Sequence, residues 1–328
     1  MVCKREVHAD GRERRFGSKA TADEVLKGLD LSDKTIVITG TTSGIGTETA
    51  RSLATHGAHL VMVNRNRDAA EKLREQIYAQ TNHRKIDLIT CDLMSLKSVK
   101  EAADEIIEKG WPINVLILNA GVASPPVALS KDGFNSTFAV NHLAHFYFAL
   151  LLKDRLISSA PSRIVVLASD LHRYTRIDSK LPLEKKLELL NPTPDTDMFS
   201  MTLYSRSKLS NVLFAFKLHR EINKFGVNVN AVHPGAMIDT GLQRNGGILL
   251  TAFKKLITNR FTKTIQQGAS TSVYVAVHPD LDKVSGHYFE GCWDDLSYLA
   301  KDLALDEQLQ DALWERSVEM IKQTGLNI

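Results

Sequence analysis

The sequence predicts a doubly wound α/β fold, in which one parallel sheet carries helices on both faces within a single domain. Two observations lead to this prediction. From about residue 34 onward, strand-like runs of aliphatic and β-branched residues alternate with segments of helical apolar spacing. The first of these runs leads directly into a glycine-rich turn and a helix, as in folds that bind a nucleotide at the end of their first strand.

The strand-like runs are continuous rather than alternating, which is typical of strands covered on both faces. The predicted strands are residues 35–39, 59–63, 86–90, 113–118, 163–168, 227–232 and, as a short last strand, 286–289. Helical spacing follows the first strand at Ala50, Leu53 and Ala54 and stops at Gly57, a residue suited to a helix end. A second helical stripe runs through Val99, Ala102, Ala103 and Ile106.

Three regions lie outside this alternation. Residues 1–33 form a basic extension that contains Lys4, Arg5, Arg12, Arg14, Arg15 and Lys19. We expect it to be a solvated tail rather than a targeting signal or a site for an anionic surface. The domain spans residues 34–328, with an insertion at about 171–200 that carries three prolines and a helical tail at about 300–328.

Composition excludes several classes of protein. The 328 residues are 43% hydrophobic and 24% charged, which suits a large core, and a net charge of +3 gives no indication of a nucleic-acid partner. Cys3, Cys91 and Cys292 are too far apart in sequence to form a disulfide framework. No apolar run approaches the ~18 residues of a membrane span. We expect a cytoplasmic protein, with an organelle or peripheral membrane contact not excluded.

A short apolar run at residues 247–253 precedes Lys254 and Lys255. We interpret it as a buried or substrate-facing helix, and contact with a membrane surface is the lesser alternative.

The turn after the first strand reads Thr-Gly-Thr-Thr-Ser-Gly-Ile-Gly over residues 39–46. Glycines let the backbone turn tightly and approach a pyrophosphate, and the helix N-terminus that follows adds positive potential. The sequence therefore predicts a Rossmann-type dinucleotide site. Its candidate residues in the turn are Gly40, Thr42, Ser43, Gly44, Ile45 and Gly46.

The end of the second strand indicates which dinucleotide is bound. An acidic residue there would accept a hydrogen bond from a ribose 2′-hydroxyl, but this chain has Arg65, followed by Arg67. A guanidinium can pair with a 2′-phosphate through two hydrogen bonds, so NADP(H) is the predicted cofactor. The alternative is that both arginines are solvated loop residues.

Tyr204 and Lys208 lie one helical turn apart on the same face of a predicted helix. A free tyrosine ionises near pH ~10, and a nearby positive charge should lower that pKa. The pair is thus a candidate proton donor and acceptor for an alcohol or a carbonyl. The spacing is common by itself, and the glycine-rich turn upstream gives it weight.

Together these residues resemble the short-chain dehydrogenase/reductase family over about residues 34–289. The resemblance includes the glycine turn, the string at residues 119–121, a serine after the strand at 163–168, and the Tyr-x-x-x-Lys motif. Strings at residues 138–147, 204–211, 232–235 and 262–269 resemble the catalytic domain of oxidoreductases that carry WW domains, and retinol-dehydrogenase-like members. Residues 1–33 lack the paired tryptophans of a WW module, so binding of proline-rich partners is not expected of them.

The resemblance implies a catalytic role for four residues. Tyr204 would be the general acid and base, and Lys208 would lower its pKa and hold the nicotinamide ribose. Ser169 would bond to the substrate oxygen. Asn141 would hold a water of the proton relay behind the lysine.

The resemblance also implies further contacts with the cofactor. Asp92 would bind the adenine amino group. Asn119, Ala120 and Gly121 would pack behind the cofactor. The remaining implied contacts are Pro234 and Gly235 at the nicotinamide amide and Thr240 at the pyrophosphate.

The predicted function is an NADP(H)-dependent oxidoreductase that transfers a hydride between nicotinamide and an apolar alcohol or carbonyl, such as a steroid, retinoid or lipid-like compound. The alternative is a dinucleotide-binding scaffold or sensor that acts through protein partners. Nicotinamide supplies the hydride, so no metal is required. We interpret His142 and His145, three residues apart, as packing residues rather than metal ligands. His172 either lines the substrate entrance or caps a loop.

A homodimer is a further prediction. The Tyr204 helix has more apolar positions than one core-facing stripe needs, namely Leu209, Val212, Leu213, Phe216 and Leu218. In proteins that the chain resembles, the equivalent helices pair across a two-fold axis. The alternative is that the insertion at about 171–200 covers this surplus within one chain.

Overall fold

A computed structural model describes residues 7–8, 11–81, 83–123, 125–191, 200–235 and 263–328. Its centre is an eight-stranded sheet in the order β3-β2-β1-β4-β5-β6-β7-β8. The strands are β1 (Thr35–Thr39), β2 (His59–Asn64), β3 (Ile86–Thr90), β4 (Val115–Leu118), β5 (Ser162–Leu167), β6 (Val227–His233), β7 (Tyr288–Glu290) and β8 (Trp293–Asp294). All neighbouring pairs are parallel except β7–β8.

The described helices alternate with these strands. They are α1 (Ala22–Leu26), α2 (Gly44–Thr55), α3 (Arg67–Gln80), α4 (Leu96–Glu108), α5 (Ser136–Phe138), α6 (Ala144–Leu151), α7 (Lys153–Ser158), α8 (Leu183–Leu190), α9 (Ser200–Ile222), α10 (Ile265–Val277), α11 (Lys301–Ala304) and α12 (Glu307–Gln323). A π-helical turn, Ala139–Leu143, joins α5 to α6. Single 3₁₀ turns are Asp170–Arg173, Asn223–Phe225, Pro279–Leu281 and Leu296–Tyr298.

Two buried clusters cover the two faces of the sheet. One contains apolar residues of α1, α2, α3 and α10. The other contains those of α4, α6, α9 and α12. All five residues of β1 are buried, as the continuous apolar run predicts. The doubly wound fold is therefore confirmed.

The parallel register places the carboxyl ends of the central strands side by side. Ile38 of β1 is level with Ile117 of β4, and Ile117 is level with Val165 of β5. Segments that follow these strands must meet at one edge of the sheet, where folds of this class bind their ligands.

The predicted strand bounds differ from the observed ones mainly at β4 and at the far edge. β4 begins at Val115 rather than 113, because the Ile113 N–H donates to Ser159 Oγ outside the ladder at 3.0 Å. β8 is missing from the sequence prediction because two residues are too short for a periodic signal.

The prediction that residues 1–33 form a solvated tail is wrong for the part that the structure describes. Arg12 donates to both carboxylate oxygens of buried Asp294, at 3.1 and 2.9 Å. Arg15 pairs with Asp280 at 3.1 Å. Helix α1 buries Val25 and Leu26 against α2 and α10. The extension is attached to the domain because Arg12 and Arg15 have carboxylate partners and its short helix has an apolar face.

The surplus apolar face of α9 is covered within the chain. Leu209, Val212 and Leu213 are fully buried. The main cover is α12, whose Trp314 packs against Phe214 of α9 and Phe146 of α6. The described part of the insertion contributes α8, which Arg206 of α9 holds by donating to the Leu189 carbonyl at 2.9 Å. The feature that motivated the homodimer prediction is thus explained without a second copy.

Among the described helices, none combines the length and the apolar character that crossing a membrane would require. Cys91 and Cys292 are buried free thiols.

Candidate active site

The glycine turn is closed by direct contact between its two ends. A Cβ on Gly46 would lie 2.1 Å from the Gly40 carbonyl oxygen and 2.5 Å from Asn119 Nδ2. Gly40 has φ +71°, and a Cβ there would lie 2.8 Å from Ala120. The turn therefore tolerates no side chain at either position.

The start of α2 is open for an anion. Ser43 is its N-cap residue, yet the Ser43 side chain makes no capping hydrogen bond, and Thr42 and Ser43 are exposed. By contrast, Asn66 caps α3 and Ser95 caps α4 through their side chains. Free N–H groups at a glycine-rich helix start suit a pyrophosphate, so the residues present fit a dinucleotide.

Asn119 ties the turn to the end of β4. Its Nδ2 donates to the carbonyls of Thr39 and Gly40, each at 2.8 Å. Its backbone N–H and that of Ala120 donate to Thr39 Oγ1 at 3.0 and 3.1 Å. Asn119 and Ala120 thus fix the start of the turn, and their packing behind a bound cofactor stays a prediction.

The predicted adenosine contacts lie at the ends of β2 and β3. Arg65 is exposed directly after β2. Asp92 follows β3 and pairs with Lys131 at 2.9 Å. Burial opposes ionisation of Asp92, but the bond from Lys131 and the backbone N–H of Met94 hold the pKa of this carboxyl below its usual range.

Tyr204 and Lys208 face the same space from α9. Lys208 Nζ lies 5.6 Å from the centroid of the Tyr204 ring and donates to the Leu167 carbonyl at 2.9 Å. Burial lowers the pKa of Lys208 to about 8. Burial also raises the pKa of Tyr204 to about 12, although a hydrogen bond with Ser169 acts in the opposite direction. The expected lowering of the Tyr204 pKa is therefore not found, because burial has the largest effect on this phenol and raises its pKa.

Ser169 follows β5 and meets Tyr204 at the edge of the sheet. Its hydroxyl donates to Asp170 Oδ1 at 3.1 Å and accepts from the Leu171 N–H at 3.2 Å. A substrate oxygen beside Tyr204 would therefore find the Ser169 hydroxyl next to it.

Asn141 lies in the π-helical turn, a feature that often marks functional positions. Its side chain bonds both backbone groups of Val122, at 2.7 and 2.9 Å, and donates to Ser207 Oγ at 2.9 Å. A Cβ on Gly121 would lie 3.4 Å from both Asn141 Oδ1 and Lys208 Nζ. Gly121 therefore lies next to both side chains.

A model of the family described as short chain dehydrogenase matches residues 34–179. The WW domain-containing oxidoreductase of Danio rerio is 41% identical to the chain over 313 residues, which cover 95% of the chain and 74% of that relative. The chain belongs to the short-chain dehydrogenase family. Retinol dehydrogenase 14 of Mus musculus is 38% identical, over 89% of the chain and 86% of the relative. The crystal structure of an uncharacterised protein from Mycobacterium paratuberculosis is 28% identical with a TM-score of 0.66, over 91% and 97%.

Membership of the short-chain dehydrogenase family makes the chain an oxidoreductase that uses NAD(P)(H). The described residues bring the catalytic candidates Ser169, Tyr204, Lys208 and Asn141 together at the edge that holds the glycine turn. Pro234 and Gly235 follow β6 at the same edge. Thr240 and the apolar run at 247–253 lie outside the described residues.

Three histidines singled out in the sequence make hydrogen bonds within the described part of this short-chain dehydrogenase. His142 bonds to Ser317 Oγ of α12 at 3.1 Å, and His145 bonds to Thr39 Oγ1 at 2.9 Å. His172 bonds to the Ser169 carbonyl at 2.6 Å and accepts from the Ala300 N–H at 3.2 Å. His172 therefore caps a loop, and the packing interpretation of the other two stays a prediction that these hydrogen bonds support.

Sequence reasoning missed two residues that support the site. Asn64 at the end of β2 accepts from the Thr41 N–H at 2.7 Å and donates to Thr41 Oγ1 at 2.8 Å, which fixes the turn. Ser207 accepts from Asn141 and donates to the Tyr204 carbonyl at 2.7 Å. A polar residue in an otherwise apolar strand was the available signal for Asn64.

Proposed function

We propose that this protein is an NADP(H)-dependent oxidoreductase acting on an apolar carbonyl or alcohol, such as a steroid, retinoid or lipid-derived compound. The observation that carries the proposal is the meeting of Ser169, Tyr204 and Lys208 beside the glycine turn.

The residues account for the proton side of the reaction. Bound nicotinamide would supply or accept the hydride, and carbonyl reduction develops negative charge on the substrate oxygen. Tyr204 would donate a hydrogen bond to that oxygen and transfer its proton, and the Ser169 hydroxyl would turn from Asp170 to donate a second bond to it. A phenol with a pKa of about 12 remains protonated at neutral pH, so it is ready to act as an acid.

The preference for NADP(H) is supported by a difference between the two arginines after β2. Arg67 pairs with Glu71 at 3.1 Å. Within the described ranges, no carboxylate pairs with Arg65, which is exposed beside Asp92 at the adenosine end. Arg65 is therefore the residue we assign to the 2′-phosphate.

The apolar substrate class is supported by the name of one relative. Retinol dehydrogenase 14 of Mus musculus is named for a long apolar alcohol. We extend that class of substrate to this chain as part of the proposal.

The decisive test replaces Tyr204 with Phe, which keeps the ring and removes the proton. We expect NADPH binding to persist and turnover of an active carbonyl to fall by at least ~10²-fold. The matched control is Tyr78→Phe, since the Tyr78 hydroxyl donates only to an exposed backbone carbonyl, that of Arg84. Near-normal turnover in Tyr204→Phe would refute the proposal. NADPH binding by the wild type without turnover of any carbonyl or alcohol in a broad panel would favour the scaffold alternative.

The cofactor assignment has its own test. Arg65→Asp should shift preference from NADPH toward NADH by at least ~10-fold, because a carboxylate repels the 2′-phosphate and accepts from a 2′-hydroxyl. The dissociation constants of NADPH and NADH would be measured by fluorescence titration for each variant. Arg67→Ala should leave the ratio of the two constants within about twofold of the wild-type ratio. Equal NADPH affinity in Arg65→Asp and the wild type would exclude Arg65 as the phosphate ligand.

A further inference from the structure

His145 is a fully buried histidine that connects two parts of the site. It lies in α6, one turn after Asn141, and is 1% exposed. Its Nε2 is 2.9 Å from Thr39 Oγ1 at the end of β1. Its Nδ1 is 3.2 Å from the main-chain carbonyl oxygen of Asn141. One imidazole thus spans from the strand that precedes the glycine turn to the backbone of the π-helical turn.

The hydrogen bonds around Thr39 determine where the imidazole carries its proton. Thr39 Oγ1 already accepts from the N–H groups of Asn119 and Ala120, which occupy both of its lone pairs. Its own hydrogen must therefore point to His145 Nε2, which accepts it. The remaining ring proton lies on Nδ1 and is donated to the Asn141 carbonyl.

The surroundings also keep this imidazole neutral. Burial, and next the neighbouring Lys208 ammonium, lower the pKa of His145 to about 3. A second ring proton on Nε2 would meet the Thr39 hydroxyl, whose lone pairs are already used. The orientation of the ring and its tautomer are thus both fixed.

We propose that His145 is a positioning residue that holds the main chain of Asn141 in a fixed relation to the glycine turn. The inference rests on the proposed function and on the role that the resemblance implies for Asn141, which is to hold a water of the proton relay behind Lys208. The Asn141 side chain is already used by Val122 and Ser207, so its main-chain carbonyl is the group that His145 orients.

The two ends of this connection differ in how much they depend on His145. The glycine turn has independent support, because Asn119 Nδ2 bonds two of its carbonyls at 2.8 Å. In the π-helical turn, the Asn141 carbonyl has the His145 ring as its side-chain partner among the described residues. Loss of the imidazole should therefore disturb proton delivery more than cofactor binding.

The first experiment compares His145→Phe with His142→Phe in the full chain. Both histidines are 1% exposed on the same helical run, but His142 bonds to α12 on the side away from the turn. We expect His145→Phe to lower kcat by at least ~10-fold, with the NADPH dissociation constant changed by less than about threefold. His142→Phe should lose comparable stability and keep kcat within about twofold. Equal kcat in the two variants, or a parallel loss of kcat and NADPH affinity in His145→Phe, would overturn the proposal.

A conservative variant tests the donor function itself. In His145→Asn, the amide can still donate to the carbonyl four residues earlier but cannot reach Thr39. It should recover at least about threefold in kcat over His145→Phe. An Asn variant no better than Phe would contradict the assigned role of Nδ1.

The tautomer gives a readout that does not require turnover. Long-range ¹H–¹⁵N NMR of the wild type with ¹⁵N-labelled histidine should show the signals of each imidazole, and those that are absent in His145→Asn belong to His145. These signals should place the His145 ring proton on Nδ1 from pH 8 to pH 5. A proton on Nε2, or an imidazolium near pH 6, would refute the inference. If Tyr204→Phe were fully active, the proposed function would fail while this spectrum would still decide the position of the His145 proton.

Discussion

Replacing Gly46 with Ala tests the geometry of the dinucleotide turn. The added Cβ would lie 2.1 Å from the Gly40 carbonyl oxygen, whereas real Cβ atoms essentially never approach closer than 3.0 Å. The start of α2 and the end of β1 would have to separate by about 1 Å, an overpacking that typically costs ~1–3 kcal/mol. Asn119 Nδ2, 2.5 Å from the same Cβ, would lose at least one of its two bonds, which adds about 1 kcal/mol.

We therefore expect Gly46→Ala to lower the free energy of unfolding by about 2–4 kcal/mol in urea titration. The NADPH dissociation constant should rise at least ~10-fold, equivalent to about 1.4 kcal/mol, because the N–H groups that face a pyrophosphate move with the turn. Gly17→Ala is the control, since a Cβ at Gly17 would meet nothing within 4 Å. It should stay within about 0.5 kcal/mol of the wild type. A Gly46→Ala protein with wild-type stability and NADPH affinity would refute the close contact across the turn.

Four further predictions rest on contacts that the structure describes. In the direction of carbonyl reduction, kcat should be constant at neutral pH and fall as pH rises through about 8, because buried Lys208 loses its charge there. Stopped-flow assays across pH 6–10 would measure this profile, and a flat profile would contradict the expectation. Arg12→Met should reduce stability in urea by about 1–3 kcal/mol by removing a partner of buried Asp294, while Lys34→Met at an exposed pair should cost less than about 0.5 kcal/mol. Burial opposes the charge of Asp294, but hydrogen bonds from His287 and Arg12 keep the pKa of this carboxyl below its usual value. The carboxylate should therefore stabilise the fold above pH ~4, and this contribution should be lost as pH falls through the lowered pKa. Acid unfolding that is unchanged in Asp294→Asn would contradict this expectation. Light scattering at micromolar concentration should give a mass near 36.5 kDa, because α12 covers α6 and α9, and a mass twice as large would restore the homodimer prediction.

Most of the sheet could be predicted because its determinants are local. Each central strand is a continuous apolar run, and the observed bounds of β1 and β3 coincide with the predicted ones. The glycine turn and the Tyr204–Lys208 pair were also found from short motifs. In each case the residues that carry the signal lie within one element and its adjoining turn, so spacing alone reveals them.

The bonds that join distant segments could not be predicted in the same way. Asn119 and His145 both bond to the Thr39 hydroxyl, yet the three residues are separated by up to 106 positions in sequence. Arg12 and Asp294 are separated by 282 positions. Such pairs can be recognised as neighbours only when the strand order is known. Each residue alone is of a polar type that is common on protein surfaces. The basic N-terminus therefore looked solvated, and the apolar surplus of α9 looked like an interface between two copies.

The expected lowering of the Tyr204 pKa was wrong for the same reason, namely that it depends on contacts between distant segments. The observed direction of the shift determines which proton step the phenol can perform. Sequence reveals that Lys208 is one turn away, and charge alone would favour the phenolate. It does not reveal burial, which disfavours the charged form of both groups: it raises the pKa of Tyr204 to about 12 and lowers that of Lys208 to about 8. The resting pair is thus a neutral phenol beside a cation that is easily deprotonated. A neutral phenol can donate its proton to a developing alkoxide, whereas oxidation of an alcohol would first require its ionisation.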